Sequence, residues 1–193
     1  MSARTKPNYF KLSQEMNGSG DWDLGNPMDS QGREVDNPWM FREGIPVPEP
    51  RRLEIPIGRP GRALDFTLAG FSIPVVHVRV ASVFTQLAPD DVQLLPVDIS
   101  GQPDAFCILV ATRLIRCIDD KASEEVEYWV PEDGRPEKIG QYRDVYGLRI
   151  DPSKVGDAKL FRTWGWSIAL IVSEELKEAL ERIGATGMKF KQV

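Results

Sequence analysis

Histidine is almost absent from this chain of 193 residues, and cysteine is nearly so: His77 is the only imidazole, and Cys107 and Cys117 are the only thiols. One histidine and no Cys-x-x-Cys pair leave no zinc site of ordinary composition, so no metal is expected. If 107–117 is one strand, the thiols lie about 33 Å apart at about 3.3 Å per residue, too far to bond. A bend between them would permit a disulfide; two buried free thiols in a reducing, cytoplasmic compartment are the plainer reading. Positive charge is also short. Lys and Arg number 24 against 29 acids, for a net charge of −5 and a pI near 5.1. That balance argues against a phosphate-backbone binder, which shows a basic face. Apolar runs such as Trp166 to Val172 are too short to span a bilayer. The first twenty residues hold no apolar stretch of the secretory type, so no signal peptide is expected.

The usual catalytic signatures are missing as well. There is no G-x-x-x-x-G-K-[ST] phosphate loop, G-x-G-x-x-G turn, G-x-S-x-G elbow or H-E-x-x-H helix. Nucleophilic catalysis assisted by imidazole would have to use His77, which sits where an apolar run enters a helix and suits a cap better than a general base. Adjacent acids at Asp90-Asp91 and Asp119-Asp120 are the candidate carboxylate pairs for a pocket enzyme or small-ligand module. Acids so placed more often cap turns. No cofactor signature is visible, and the reading is non-enzymatic.

What is present describes one α+β domain over residues 1–193. Residues 1–50 read as an irregular segment with turn signals at Asn17-Gly18-Ser19-Gly20, Ser30-Gln31-Gly32, Pro46, Pro48 and Pro50. Tyr9, Phe10, Trp22, Trp39 and Phe41 pin it to the body, because each ring gains by leaving water. The regular core runs over 51–193. Strands are expected at Leu53–Ile57, with Pro56 pushing it to an edge, and at Leu64–Leu68, Val92–Val97, Phe106–Ile118, Val126–Val130, Val145–Ile150, Leu160–Phe161, Trp166–Val172 and Met188–Val193. Asp133-Gly134 is a turn signal. Val76, Val80, Val83, Phe84 and Leu87 mark one helix face. Ser173 as N-cap, Glu174 and Glu175 in the first turn, the stripe Leu176, Ala179, Leu180 and Ile183, and Gly184 as stop define a second helix. Two helices against mostly consecutive strands predict a largely antiparallel sheet. Trp164 and Trp166 would share one strand face, as a core wall.

One charge feature stands out. Residues 119–137 hold Asp119, Asp120, Glu124, Glu125, Glu127, Glu132, Asp133 and Glu137 against Lys121 and Arg135, a local charge of −6. A solvated hairpin is the plain account. The sharper one is an acidic partner surface of Asp119, Asp120, Glu124, Glu125, Glu127, Glu132 and Asp133 around a Trp129 anchor, suited to a basic protein. Strict alternation would set Val126, Tyr128 and Val130 inward and put Trp129 on the charged face. The aromatic-rich segment 21–44 is the reserve candidate.

Several short patterns together resemble a known family. They are Asp21-Trp22-Asp23-Leu24-Gly25, Asn37-Pro38-Trp39-Met40-Phe41-Arg42-Glu43-Gly44, Gly61-Arg62-Ala63-Leu64-Asp65-Phe66 and Gly70-Phe71-Ser72-Ile73-Pro74-Val75-Val76. Later come Asp98, Cys117-Ile118-Asp119, Gly140-Gln141-Tyr142-Arg143, Ile150-Asp151-Pro152, Phe161-Arg162, Ser173-Glu174-Glu175 and Gly187-Met188-Lys189-Phe190. In this order, over about 21–193, they resemble immunity-protein family eleven of bacterial polymorphic toxin systems. The resemblance implies a cytoplasmic antitoxin that binds and blocks a cognate toxin, nuclease types among them, and it carries over no catalytic residue. A pocket enzyme and a subunit holding a non-toxin partner are the rival readings.

Overall fold

The computed structural model describes residues 7–15, 20–48 and 52–193. The expected turns at Asn17-Gly18-Ser19 and Pro50 lie outside these. In chain order the strands are β1 Tyr9–Gln14, β2 Asp23–Leu24, β3 Leu53–Ile55, β4 Ile57–Arg59, β5 Phe66–Ala69, β6 Ile73–His77, β7 Val92–Ile99, β8 Phe106–Ala111, β9 Leu114–Ile115, β10 Glu125–Tyr128, β11 Tyr142–Tyr146, β12 Leu160–Thr163, β13 Leu170–Ser173 and β14 Met188–Gln192. The helices are α1 Val78–Leu87 and α2 Glu174–Arg182, with a short 3-10 turn at Pro38–Arg42. Among the described residues no helix is long and apolar enough to cross a membrane.

Two five-stranded sheets carry the architecture, ordered β3-β7-β8-β6-β5 and β14-β1-β13-β12-β9. Each is antiparallel apart from one edge strand, β3 beside β7 and β9 beside β12. Both helices pack into a core shared by the two sheets, where Val80, Phe84, Leu176 and Leu180 meet Phe66, Leu109, Leu160 and Val172. The opposite face of the first sheet is covered by the N-terminal segment through Trp22, Leu24, Phe41 and Val47. The opposite face of the second is covered by residues 115–158, through Cys117, Ile118, Val145, Leu148 and Ile150 against Phe161 and Ile171. Sheets buried on both faces need apolar residues at every position. In β8, Phe106, Ile108 and Val110 enter the second core while Leu109 and Ala111 enter the first.

The α+β class and the predominance of antiparallel pairing follow the sequence expectation; several boundaries do not. Residues 9–14 are a strand rather than part of an irregular segment, and β1 lies between β13 and β14. Its two-sided burial removes the alternation by which a strand is recognised. Pro56 divides the expected strand Leu53–Ile57 into β3 and β4, which join different sheets, because a residue without an N–H cannot continue the ladder. Residues 73–77 extend as β6 between β5 and β8, so α1 begins at Val78 rather than Val76, and His77 caps it by accepting from the Arg79 N–H at 3.2 Å. The long run 106–118 breaks after Ala111, where the Thr112 N–H turns to the Asp91 carbonyl at 2.8 Å. The expected strand Val145–Ile150 instead lies at Tyr142–Tyr146.

Trp164 and Trp166 do not share a face. Gly165 adopts φ +80° in a turn after β12. Trp166 enters the third core, whereas Trp164 lies against the Arg116 guanidinium at 3.5 Å. α2 follows the sequence reading, with the Ser173 hydroxyl accepting from the Leu176 N–H at 3.3 Å and Gly184 at φ +63°. The two cysteines are free.

Candidate partner-binding surface

The acidic window is built as a turn followed by a hairpin. Asp119 closes the turn, its carboxylate accepting from the Lys121 and Ala122 N–H groups at 3.1 Å. Ser123 is buried and exchanges bonds with Arg149, fixing the entry to β10. β10 then pairs antiparallel with β11, and Val126 and Val145 face each other over the third core. On the outer face Glu125 lies opposite Tyr146 and Glu127 opposite Asp144. Like charges directly across a ladder destabilise it. Arg143 pairs with Glu127 at 3.9 Å, and Asp144 accepts from the Val145 N–H at 2.8 Å, which offsets part of that cost.

A register shift between Glu127 and Tyr128 ends the alternation. Tyr128 and Val130 therefore do not point inward as strict alternation expects; they are 41% and 43% exposed. Ile139 and Tyr146 are exposed as well, at 51% and 48%. Tyr128 stacks on Tyr142 with centroids 4.9 Å apart, and both hydroxyls donate to Asp120, that of Tyr142 at 2.6 Å. Burial raises the Asp120 carboxyl, but the two hydroxyl donors outweigh it and hold it below the usual range. Tyr142 moves the opposite way, pushed up by burial and by the same carboxylate.

The expected site residues thus separate into two groups. Asp119, Asp120 and Asp133 hold the scaffold; Asp133 accepts from the Val130 N–H at 3.0 Å and from Arg143 at 3.4 Å. Glu124, Glu125 and Glu132 are exposed, and Glu127 is half-buried on the outer face. Trp129 is half-buried with the Lys138 ammonium 4.9 Å from its ring centroid. Over residues 119–146 nine acids face four bases, so the hairpin still carries −5. Ile139, Tyr142 and Tyr146 complete this surface and escaped the sequence reading. The turn motif Gly140-Gln141-Tyr142-Arg143 was the available signal.

The two members of each adjacent-acid pair sit in different surroundings: Asp119 holds a turn while Asp120 serves two tyrosine hydroxyls. Asp91 is buried and accepts from the Lys159 N–H at 2.7 Å, while Asp90 is exposed. A groove of about 460 Å³ along α1, lined by Val78, Ala81, Ser82, Thr85, Gln86, Leu94 and Cys107, contains no acid and no imidazole. Among the described residues no group of three or more His, Cys, Asp or Glu is placed to hold a metal ion. The segment 21–44 is mainly core cover. Trp22 and Phe41 are fully buried, and Trp39 alone of its tryptophans is exposed, edge-on to Phe71 at 5.2 Å.

A model of an immunity protein family, Imm11, matches residues 10–193, which takes in both sheets, both helices and the hairpin. The chain belongs to that family. A search of curated proteins finds no match. Within this Imm11 chain the exposed acids and aromatics of the hairpin lie outside all three cores, on a scaffold fixed by Asp119, Asp120 and Asp133.

Proposed function

We propose that this chain is a cytoplasmic bacterial immunity protein of a polymorphic toxin system. It binds a cognate toxin and neutralises it by steric and electrostatic occlusion, without catalysis. The outer face of the hairpin is the toxin-contact surface: Glu124, Glu125, Glu127 and Glu132 steer a basic toxin of the nuclease type, and Trp129 with the exposed tyrosines supplies the apolar contact. Asp119, Asp120 and Asp133 act in that surface by holding its shape. Family membership supports the class of function. The observation that carries the choice of surface is an outer face that sets Glu127 opposite Asp144 and also bears the exposed Tyr128, Val130 and Tyr146. An acidic face that also bears exposed rings combines long-range steering of a basic partner with apolar contact on docking, which a plain solvated hairpin has no use for.

Co-expression with the protein encoded next to it, followed by pull-down, is the first test, and a stable complex that abolishes toxicity is the expected result. Stopped-flow association of that complex then tests the surface. Replacing Glu124, Glu125 and Glu127 together by Lys should slow association at least tenfold, and the wild-type rate should fall with salt, because steering charges are screened beyond about 8–10 Å. Trp129→Ala should raise the dissociation rate. An association rate indifferent to both salt and the triple reversal removes the hairpin from the interface.

A further inference from the structure

Arg162 stands on β12 with its side chain fully enclosed, 2% exposed. Its Nη1 donates to the carbonyls of Ser167 and Ile168, each at 3.0 Å. Among the described residues its Nε and Nη2 have no hydrogen-bond partner, and neither has the buried Nε of Arg42. The charge that bears on Arg162 belongs to Arg42, a second cation, and burial followed by that repulsion lowers the guanidinium to about 9. It therefore stays protonated at neutral pH. A buried cation with two open donors and a like charge as neighbour is strongly unfavourable unless an anion completes it.

The open edge has a definite shape. Nε and Nη2 form the side-on fork of a guanidinium, which matches the two oxygens of a carboxylate. The same chain shows the pairing elsewhere: Arg79 grips Asp65 through Nε at 2.7 Å and Nη2 at 2.8 Å. At Arg162 the fork is free. We propose that Arg162, with Arg42 beside it, forms a receptor for a carboxylate carried on an apolar stem. The stem follows from the surroundings. Leu114 is the register neighbour of Arg162 on β9, Gly44 packs between the two side chains, and Leu114, Ile45 and Ile168 are exposed around them. The fork is closed to solvent, and the neighbours that reach the surface are the half-exposed Arg42 together with Ile45, Leu114 and Ile168, so entry is a movement of these side chains. This site is separate from the hairpin and independent of the toxin reading.

Calorimetric titration of the purified full chain tests it, at constant ionic strength. The probes are acetate, hexanoate and the blocked tripeptide acetyl-Leu-Glu-Leu-amide, with chloride as the control. Hexanoate or the tripeptide should bind at least tenfold more tightly than acetate. A free carboxylate is the natural source if hexanoate is the stronger, and an acidic side chain of a protein partner if the tripeptide is. Arg162→Met, which removes the charge at similar volume, should fold as well as the wild type and lose the response to both. Arg162→Lys, which keeps the charge but not the fork, should weaken binding at least tenfold. If Arg162→Met fails to fold, Arg42→Met carries the test through a weakened but measurable isotherm. The proposal is overturned if the wild type gives neither heat nor a melting shift with any probe, or if Arg162→Met or Arg42→Met retains the wild-type response.

Discussion

Asp65 offers the sharpest test of how the two sheets are joined. Its carboxylate accepts from Arg79 at 2.7 and 2.8 Å and from the Thr186 N–H and hydroxyl, both at 2.8 Å. Arg79 in turn donates to the carbonyls of Ile183 and Gly184 at the end of α2. One side chain thus ties the start of β5 to α1 and to the loop leading into β14. Burial pushes the Asp65 carboxyl up, but Arg79 and Thr186 outweigh it and bring it from 3.8 to about 2. A folded-state value below the unfolded one means stabilisation present in full above pH 3.8 and lost as pH falls through 2. The displacement corresponds to at most about 2 kcal/mol. Because Arg79 is 43% exposed, solvent screening reduces this to about 1 kcal/mol. Asp65→Asn should therefore unfold in urea about 1–2 kcal/mol more easily at pH 7, counting the amide hydrogens turned toward existing donors. That difference should shrink steadily between pH 4 and pH 2. Other carboxylates titrate in the same range, but they do so in both proteins, so the difference between variant and wild type isolates Asp65. A gap that stays constant to pH 2, or no gap at pH 7, refutes the reasoning.

Three further outcomes are expected. Trp166→Ala removes a buried ring from the third core and should destabilise by about 3–5 kcal/mol in chemical denaturation. Gly187 adopts φ +82°, and a Cβ there would lie 2.2 Å from the Phe66 carbonyl oxygen, so Gly187→Ala should lose more than about 1 kcal/mol and lower the melting temperature. Burial pushes the Cys117 thiol up to about 12, so alkylation followed by mass spectrometry should leave Cys117 unmodified in the native protein at pH 8 and label it after unfolding in guanidinium.

The parts of the fold legible in the sequence are those with one wet face. α2 carries a polar stripe, an N-cap and a terminal glycine, and each maps to its expected place. β1 is illegible by the same logic. Lys11, which breaks its apolar pattern, sets its ammonium over the Trp166 ring, 5.3 Å from the centroid, so a charged letter occupies an inward position. The loop-rich cover of residues 20–48 could be inferred from its rings but not placed, because its contacts with the first sheet are long-range and carry no period. At the candidate surface the composition was visible and the division of labour was not. The sequence cannot tell that Asp120 serves two tyrosine hydroxyls from β10 and β11, because Tyr142 lies 22 residues away. Nor does periodicity reveal a register shift of one residue, and that shift is what turns Tyr128 and Val130 outward.

The arrangement of the three cores bears directly on how the hairpin can work. Its inner residues Val126 and Val145 seal the third core, yet the ladder itself pairs with neither large sheet. A surface of this kind can change its outward side chains while its inward ones continue to hold the fold. Exposed charges contribute about 0–1 kcal/mol each, and at Glu127 the lost Arg143 pair offsets the relief opposite Asp144, so reversal of Glu124, Glu125 and Glu127 should leave the melting temperature nearly unchanged. Association should therefore respond to the three substitutions while stability does not. A solvated hairpin with no partner would show neither effect, which makes the kinetic loss the part that speaks for function.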